Sequence, residues 1–116
     1  DSTTLMDYML NKMIFLMKNL YVYPDNMMKN INLTNGLIFS QELMLELTKT
    51  GVSREKAYRI VQNLAKTSFA KNLKLKDLVK KDKLISNKIS QKQIEKIFSY
   101  SKHFKNINYI FKRVFK

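Results

Sequence analysis

Cysteine is absent from these 116 residues. That excludes disulfides, thiolate metal sites and a cysteine nucleophile together, and it fits a reducing cytoplasm, the predicted location. Glycine occurs twice and proline once, too little punctuation for a β-sandwich or barrel. Long apolar runs are missing as well. The densest, Met13-Ile14-Phe15-Leu16-Met17, falls far short of the ~20 residues of a membrane span. No signal-peptide pattern precedes it. Acidic residues number 9 against 22 basic ones, and the one histidine is His103.

What is present points to a packed helical domain. The chain is 45% hydrophobic and 11% aromatic, which suits a real core and not a disordered tail. Its length suits one domain. The net charge of +13 comes almost wholly from lysine, since arginine stands only at Arg54, Arg59 and Arg113. Asn, Ile, Phe, Tyr and Met are also plentiful, and AT-rich codons supply this set. Compositional drift therefore explains the charge without a polyanion. Arginine, the residue that forks onto phosphate and guanine, is scarce. The lysines are scattered, and the densest group is Lys71, Lys74, Lys76, Lys80, Lys81 and Lys83. The expectation is no nucleic-acid partner and no membrane partner. A free-standing basic helical module that binds nucleic acid is the alternative reading of the charge.

Along the chain, Asp1 to Thr4 offer N-caps for a helix running from Leu5 to Tyr21. Its apolar positions, among them Met6, Met9, Met13 and Met17, cover most of the circumference. Only a strip around Asp7, Asn11, Lys12, Lys18 and Asn19 is polar. A helix apolar nearly all round is buried on several sides, so this one is predicted to pack against helices outside the chain. Pro24 breaks the pattern, leaving Val22-Tyr23 extended. Tyr21 and Tyr23 are expected to close the helix end against the core. A short helix over Asp25–Ile31 follows, then a turn at Leu33-Thr34-Asn35-Gly36, with Thr34 or Asn35 as N-cap of a helix from Leu37 to Lys49. Gly51 stops that helix. Ser53 caps the next, whose stripe is Ala57, Ile60, Val61, Leu64 and Ala65. Leu75, Leu78 and Val79 predict a short helix. Ser90 and Gln93 have the form of a capping box opening a helix with Ile94, Ile97 and Phe98 inward. Ile107, Ile110, Phe111 and Val114 repeat the stripe at the end.

Catalytic chemistry is hard to assemble. His103, set among Lys102, Phe104 and Lys105, reads as a surface or packing residue rather than a general base. Glu42 and Glu46 lie one turn apart and form a candidate carboxylate pair, but a solvated face with Lys49 pairing along the helix is the better reading. No P-loop, dinucleotide fingerprint or metal cluster occurs. No residue is assigned as catalytic, cofactor-binding or metal-binding.

Four segments carry a resemblance. They are Asn19-Leu-Tyr-Val-Tyr-Pro-Asp-Asn-Met27 with Asn32-Leu-Thr-Asn-Gly-Leu-Ile-Phe-Ser-Gln41, then Ser53-Arg-Glu-Lys-Ala-Tyr-Arg-Ile-Val-Gln62, the closing Asn108-Tyr-Ile-Phe-Lys-Arg-Val-Phe115, and the opening Asp1-Ser-Thr-Thr-Leu-Met-Asp-Tyr-Met-Leu10. In this order they resemble the C-terminal region of bacterial adenylosuccinate lyases, of the fumarase/aspartase superfamily. Asn35, Phe69 and Asn108 depart from the glycine, tryptophan and aspartate expected there. The resemblance implies an all-α chain: residues 1–21 as the last long helix of a central bundle, and 22–116 as a helical C-terminal domain. It implies a homotetramer whose partners are the rest of the chain and sister subunits. It also implies a nucleotide substrate, adenylosuccinate or the related succinyl-carboxamide ribotide, that loses fumarate without metal or organic cofactor. The family's catalytic serine loop, its histidine segments and its Ser-Ser-Val-Glu-Arg segment have no counterpart here. Asp1 in place of Met is expected to mark a segment cut from a longer chain. Carboxymuconate cycloisomerase-like lyases share a similar domain and are the nearer alternative. The segment by itself is predicted to expose apolar surface and to self-associate.

Overall fold

The computed structural model describes residues 1–115, and among them every regular element is helical. Helix α1 spans Ser2–Lys18 and ends at Asn19, whose amide donates to the Phe15 carbonyl at 3.1 Å while the Leu20 amide donates to that of Met17 at 3.5 Å. Residues Tyr21–Tyr23 leave the helix, as the proline requires, and Pro24 opens α2, Pro24–Asn32, at its N1 position.

Next comes a tight corner rather than the start of a long helix. Asn35 and Gly36 both take left-handed backbone, with φ of 52° and 86°, so neither Thr34 nor Asn35 caps a helix running from Leu37. A 3₁₀ turn over Leu37–Phe39 follows instead, and α3 covers Ser40–Lys49. Gly51, at φ 86°, ends α3 as anticipated. Helix α4, Arg54–Lys71, starts at Ser53, whose hydroxyl accepts from the Lys56 amide at 3.4 Å. Asn72 closes it in left-handed backbone.

Helices α5 (Leu75–Lys81), α6 (Lys83–Lys88) and α7 (Gln91–Ile97) complete the compact part. Asp82 separates α5 from α6 and accepts from the Ile85 amide at 3.0 Å. The Ser90/Gln93 capping box forms in full. Short α8 (Ser101–Phe104) and then α9 (Ile107–Val114) follow.

The core lies between Phe39 and Ile97. Leu43 and Leu47 of α3 meet Ala57 and Val61 of α4, and Leu75, Val79, Ile85, Ile89, Ile94 and Ile97 fill the other side. Each is apolar and nearly or wholly removed from water, so hydrophobic burial holds α3 through α7 together.

Among the described residues, none outside this stretch is buried. Every residue of α1 and α2 is exposed, and so is every described residue of α8 and α9. Tyr21 and Tyr23 therefore do not close a helix end against the core: they are 83% and 63% exposed. The C-terminal stripe of Ile107, Ile110, Phe111 and Val114 forms on α9 but faces solvent. The overall dimensions agree. The radius of gyration is 20.5 Å and the extents are 64 × 31 × 26 Å, against roughly 13 Å for a compact domain of about 100 residues.

Candidate functional site

Three arrangements of side chains deserve comparison as sites: the Glu42/Glu46 face, the lysine-rich edge of α5, and the apolar surface of α1. The first does not assemble a carboxylate pair. Glu46 accepts a 2.7 Å ion pair from Lys49, and Glu42 is paired with Lys102 of α8. Each carboxylate is matched to its own cation rather than to the other. The Glu46 hydrogen bond also holds the Lys49 ammonium above its ordinary pKa. The face is less solvated than its sequence implies, because α8 folds over it. Glu42 and Glu46 line a cleft of ≈ 420 Å³ with Gln93, Lys96 and Lys105.

His103 sits on α8, exposed, with its ring 6.3 Å from that of Phe39. No carboxylate pairs with it among the described residues, so none of them orients it as a base. No cluster of metal-binding side chains occurs among the described residues.

The lysine-rich edge is partly neutralised from within the fold. Glu95 of α7 pairs with Lys76 at 2.5 Å and with Lys80 at 2.7 Å. Hydrogen bonds from Lys76 and then Lys80 lower the Glu95 carboxyl to about 2. The ladder ties α5 to α7, so these two lysines are committed to structure.

The apolar surface of α1 is the largest unsatisfied feature. Leu5, Met6, Met9, Leu10, Met13, Ile14, Phe15, Leu16 and Met17 are each between 51% and 63% exposed, over a helix of 17 residues and thus about 25 Å long. A contiguous apolar surface of this size marks an interaction site. None of the helices described here is long and apolar enough to cross a membrane.

An all-helical chain of this kind has known relatives. The family described as "Adenylosuccinate lyase C-terminus" matches residues 36–114, and the chain belongs to this family. It is 40% identical over 114 residues to the adenylosuccinate lyase of Bacillus subtilis (strain 168), an alignment covering 98% of this chain and 26% of that protein. It is 42% identical over 120 residues to the adenylosuccinate lyase of Helicobacter pylori (strain 26695), covering 94% of this chain and 27% of that one. The chain thus spans about a quarter of the length of the curated relatives it matches.

The structure also accounts for two family departures. Asn35 replaces the expected glycine at φ 52°, and asparagine is the side chain that best tolerates left-handed backbone. Phe69, in place of tryptophan, is 83% exposed, where the exchange disturbs no core. One structural residue escaped sequence reasoning. Ser68 is fully buried, and only its partner, the Leu73 carbonyl at 2.6 Å, reveals its role.

Proposed function

We propose that the chain is the C-terminal portion of an adenylosuccinate lyase. The whole protein would be a carbon–nitrogen lyase of purine biosynthesis that eliminates fumarate from adenylosuccinate, giving AMP, and from the succinyl-carboxamide ribotide. Residues 1–21 form the last helix of a central bundle, and 22–116 form the helical domain beyond it. The segment's role is structural, supplying assembly surface to a cytoplasmic homotetramer, while the catalytic groups lie elsewhere in the chain or on sister subunits.

The observation that carries this reading is 40% identity to a named adenylosuccinate lyase across 98% of the chain. Two features of the fold support it. Helix α1 is apolar nearly all round and wholly exposed, which burial in an oligomeric bundle would relieve. Helix α2 is tethered to the distal domain by a 3.2 Å hydrogen bond from the Tyr100 hydroxyl to Asn32, which favours a division before α2. The alternative, a free-standing basic module, calls for a polar outer surface, and α1 opposes it. The assay is fumarate release by the full-length protein. Inactivity on adenylosuccinate overturns the assignment, and fumarate release by the isolated 116-residue segment overturns the placement of the catalytic groups.

A further inference from the structure

In this asparagine-rich sequence, Asn35 is the only asparagine followed by glycine. Such a pair is chemically self-reactive. The backbone nitrogen of the second residue can attack the side-chain carboxamide of the first, and glycine, without a Cβ, leaves that nitrogen unhindered. The fold sets Asn35-Gly36 at the corner between α2 and the 3₁₀ turn, where both residues are partly exposed and water reaches them. The attacking atom is also unpaired. The Asn35 amide donates to the Asn32 carbonyl and the Leu37 amide to that of Thr34, but the Gly36 amide between them has no backbone acceptor among the described residues.

One bond stands against the reaction. Asn35 Nδ2 donates to Asn72 Oδ1 at 2.7 Å, which ties the carboxamide to the end of α4. Ring closure turns the carboxamide carbon onto the Gly36 nitrogen and expels Nδ2, the very atom that makes this bond. The bond therefore has to open first. We propose that Asn35 is a site of spontaneous deamidation, gated by its hydrogen bond to Asn72. The Gly36 nitrogen gives up its proton to water and bonds to the Asn35 carboxamide carbon. The bond from that carbon to Nδ2 breaks, and ammonia leaves. Water then opens the resulting succinimide at either carbonyl, giving aspartate or isoaspartate. No oxidant, metal or second protein is needed.

The two products differ in consequence. In the aspartate form the main chain is intact, and the Asn72 amide, turned round, donates to the new carboxylate. In the isoaspartate form the main chain runs through the former side chain and is longer by a methylene. The carbonyl that accepted from the Leu75 amide at 2.9 Å becomes a carboxylate off the main chain. Both fastenings of this corner, to Asn72 and to the start of α5, are then displaced. The chemistry is independent of the lyase reading.

The experiment is timed incubation of the full-length protein at mildly alkaline pH, followed by trypsin and fragment mass spectrometry. The tryptic peptide Asn30–Lys49 holds Asn30, Asn32 and Asn35, so two asparagines serve as internal controls. Wild type gains the mass of deamidation at Asn35 first, as separable aspartate and isoaspartate peptides. Asn72→Gly suits the left-handed backbone at that position, φ 49°, and removes the acceptor. It speeds the reaction about fivefold, the worth of one hydrogen bond. Asn72→Asp keeps an acceptor and stays at the wild-type rate, which separates the bond from any general loosening of the corner. Loss of Asn35 no faster than that of Asn30 and Asn32 overturns the proposal, as does aspartate without isoaspartate, because no ring then forms. Equal rates for wild type and Asn72→Gly, or equal acceleration by Asn72→Gly and Asn72→Asp, overturn the gating.

Discussion

Ser68 and Leu73 hold the end of α4 by two bonds: the Ser68 hydroxyl donates to the Leu73 carbonyl at 2.6 Å, and the Leu73 amide donates to the Ser68 carbonyl at 3.0 Å. Asn72 between them takes left-handed backbone and accepts from the Asn35 side chain at 2.7 Å. The Asn35 carbonyl in turn accepts from the Leu75 amide at 2.9 Å. Two distant turns are thereby fastened to each other. Ser68→Val removes the donor and is expected to cost about 1–3 kcal/mol in chemical denaturation. At the neighbouring corner, Gly36 has φ 86°, and an added Cβ would stand 3.6 Å from the Phe98 ring. The space is ordinary, so the penalty of Gly36→Ala is conformational, about 1–2 kcal/mol, read as a lowered melting temperature. Glu95 sets a residue-scale pH dependence. Its carboxyl is lowered from 4.5 to about 2, so its stabilising contribution is present above pH 4.5 and is lost as pH falls toward 2. Glu95→Gln should remove that component of the acid limb, and added salt should shrink it, since the pair is solvent-exposed. An unchanged acid limb in the variant would sink this assignment.

At the scale of elements, helices of similar pattern have different fates. Helix α7 buries Ile94 and Ile97, whereas α9, with a stripe at the same spacing, buries nothing. Periodicity reports which face of a helix is apolar; it does not report what covers that face. Leu43→Ala or Ile94→Ala is expected to cost about 2–5 kcal/mol by loss of packing and cavity formation. Ile110→Ala should fall within about 0.5 kcal/mol in the isolated chain. Comparable losses at Ile110 and Ile94 would mean that α9 is packed after all. Three caps were legible, whereas Thr34 and Asn35 cap no helix and Asp1 opens α1 without a side-chain bond. Ser53, the Ser90/Gln93 box and Gly51 all act as their residue types imply, because a cap is satisfied within a few residues. Short α6 and α8 were not legible, being too brief to show a period, and the α3 start was missed because the Asn35-Gly36 corner overrides the apolar run after it.

For the whole molecule, the elongated shape and the bare α1 set the expectation. A segment with this much exposed apolar surface should self-associate, so sedimentation of the isolated chain should give species heavier than 13.8 kDa. In the full-length protein, Met13→Lys or Ile14→Lys should lower the assembly's mass without unfolding the distal domain, whose core contains no α1 residue. A lysine-bearing variant that stays at the wild-type mass would show that α1 is not an assembly helix.

Composition and short-range pattern were sufficient for the all-helical class, the caps, the amphipathic stripes of α4 and α7, and the family, because each depends on residues close in sequence. The pairing of Glu42 with Lys102, the sharing of Glu95 by Lys76 and Lys80 and the burial of Ser68 required the folded chain. So did the exposure of α1 and α9. These depend on which helices meet across long stretches of sequence, and on which apolar faces find no partner among the residues described here.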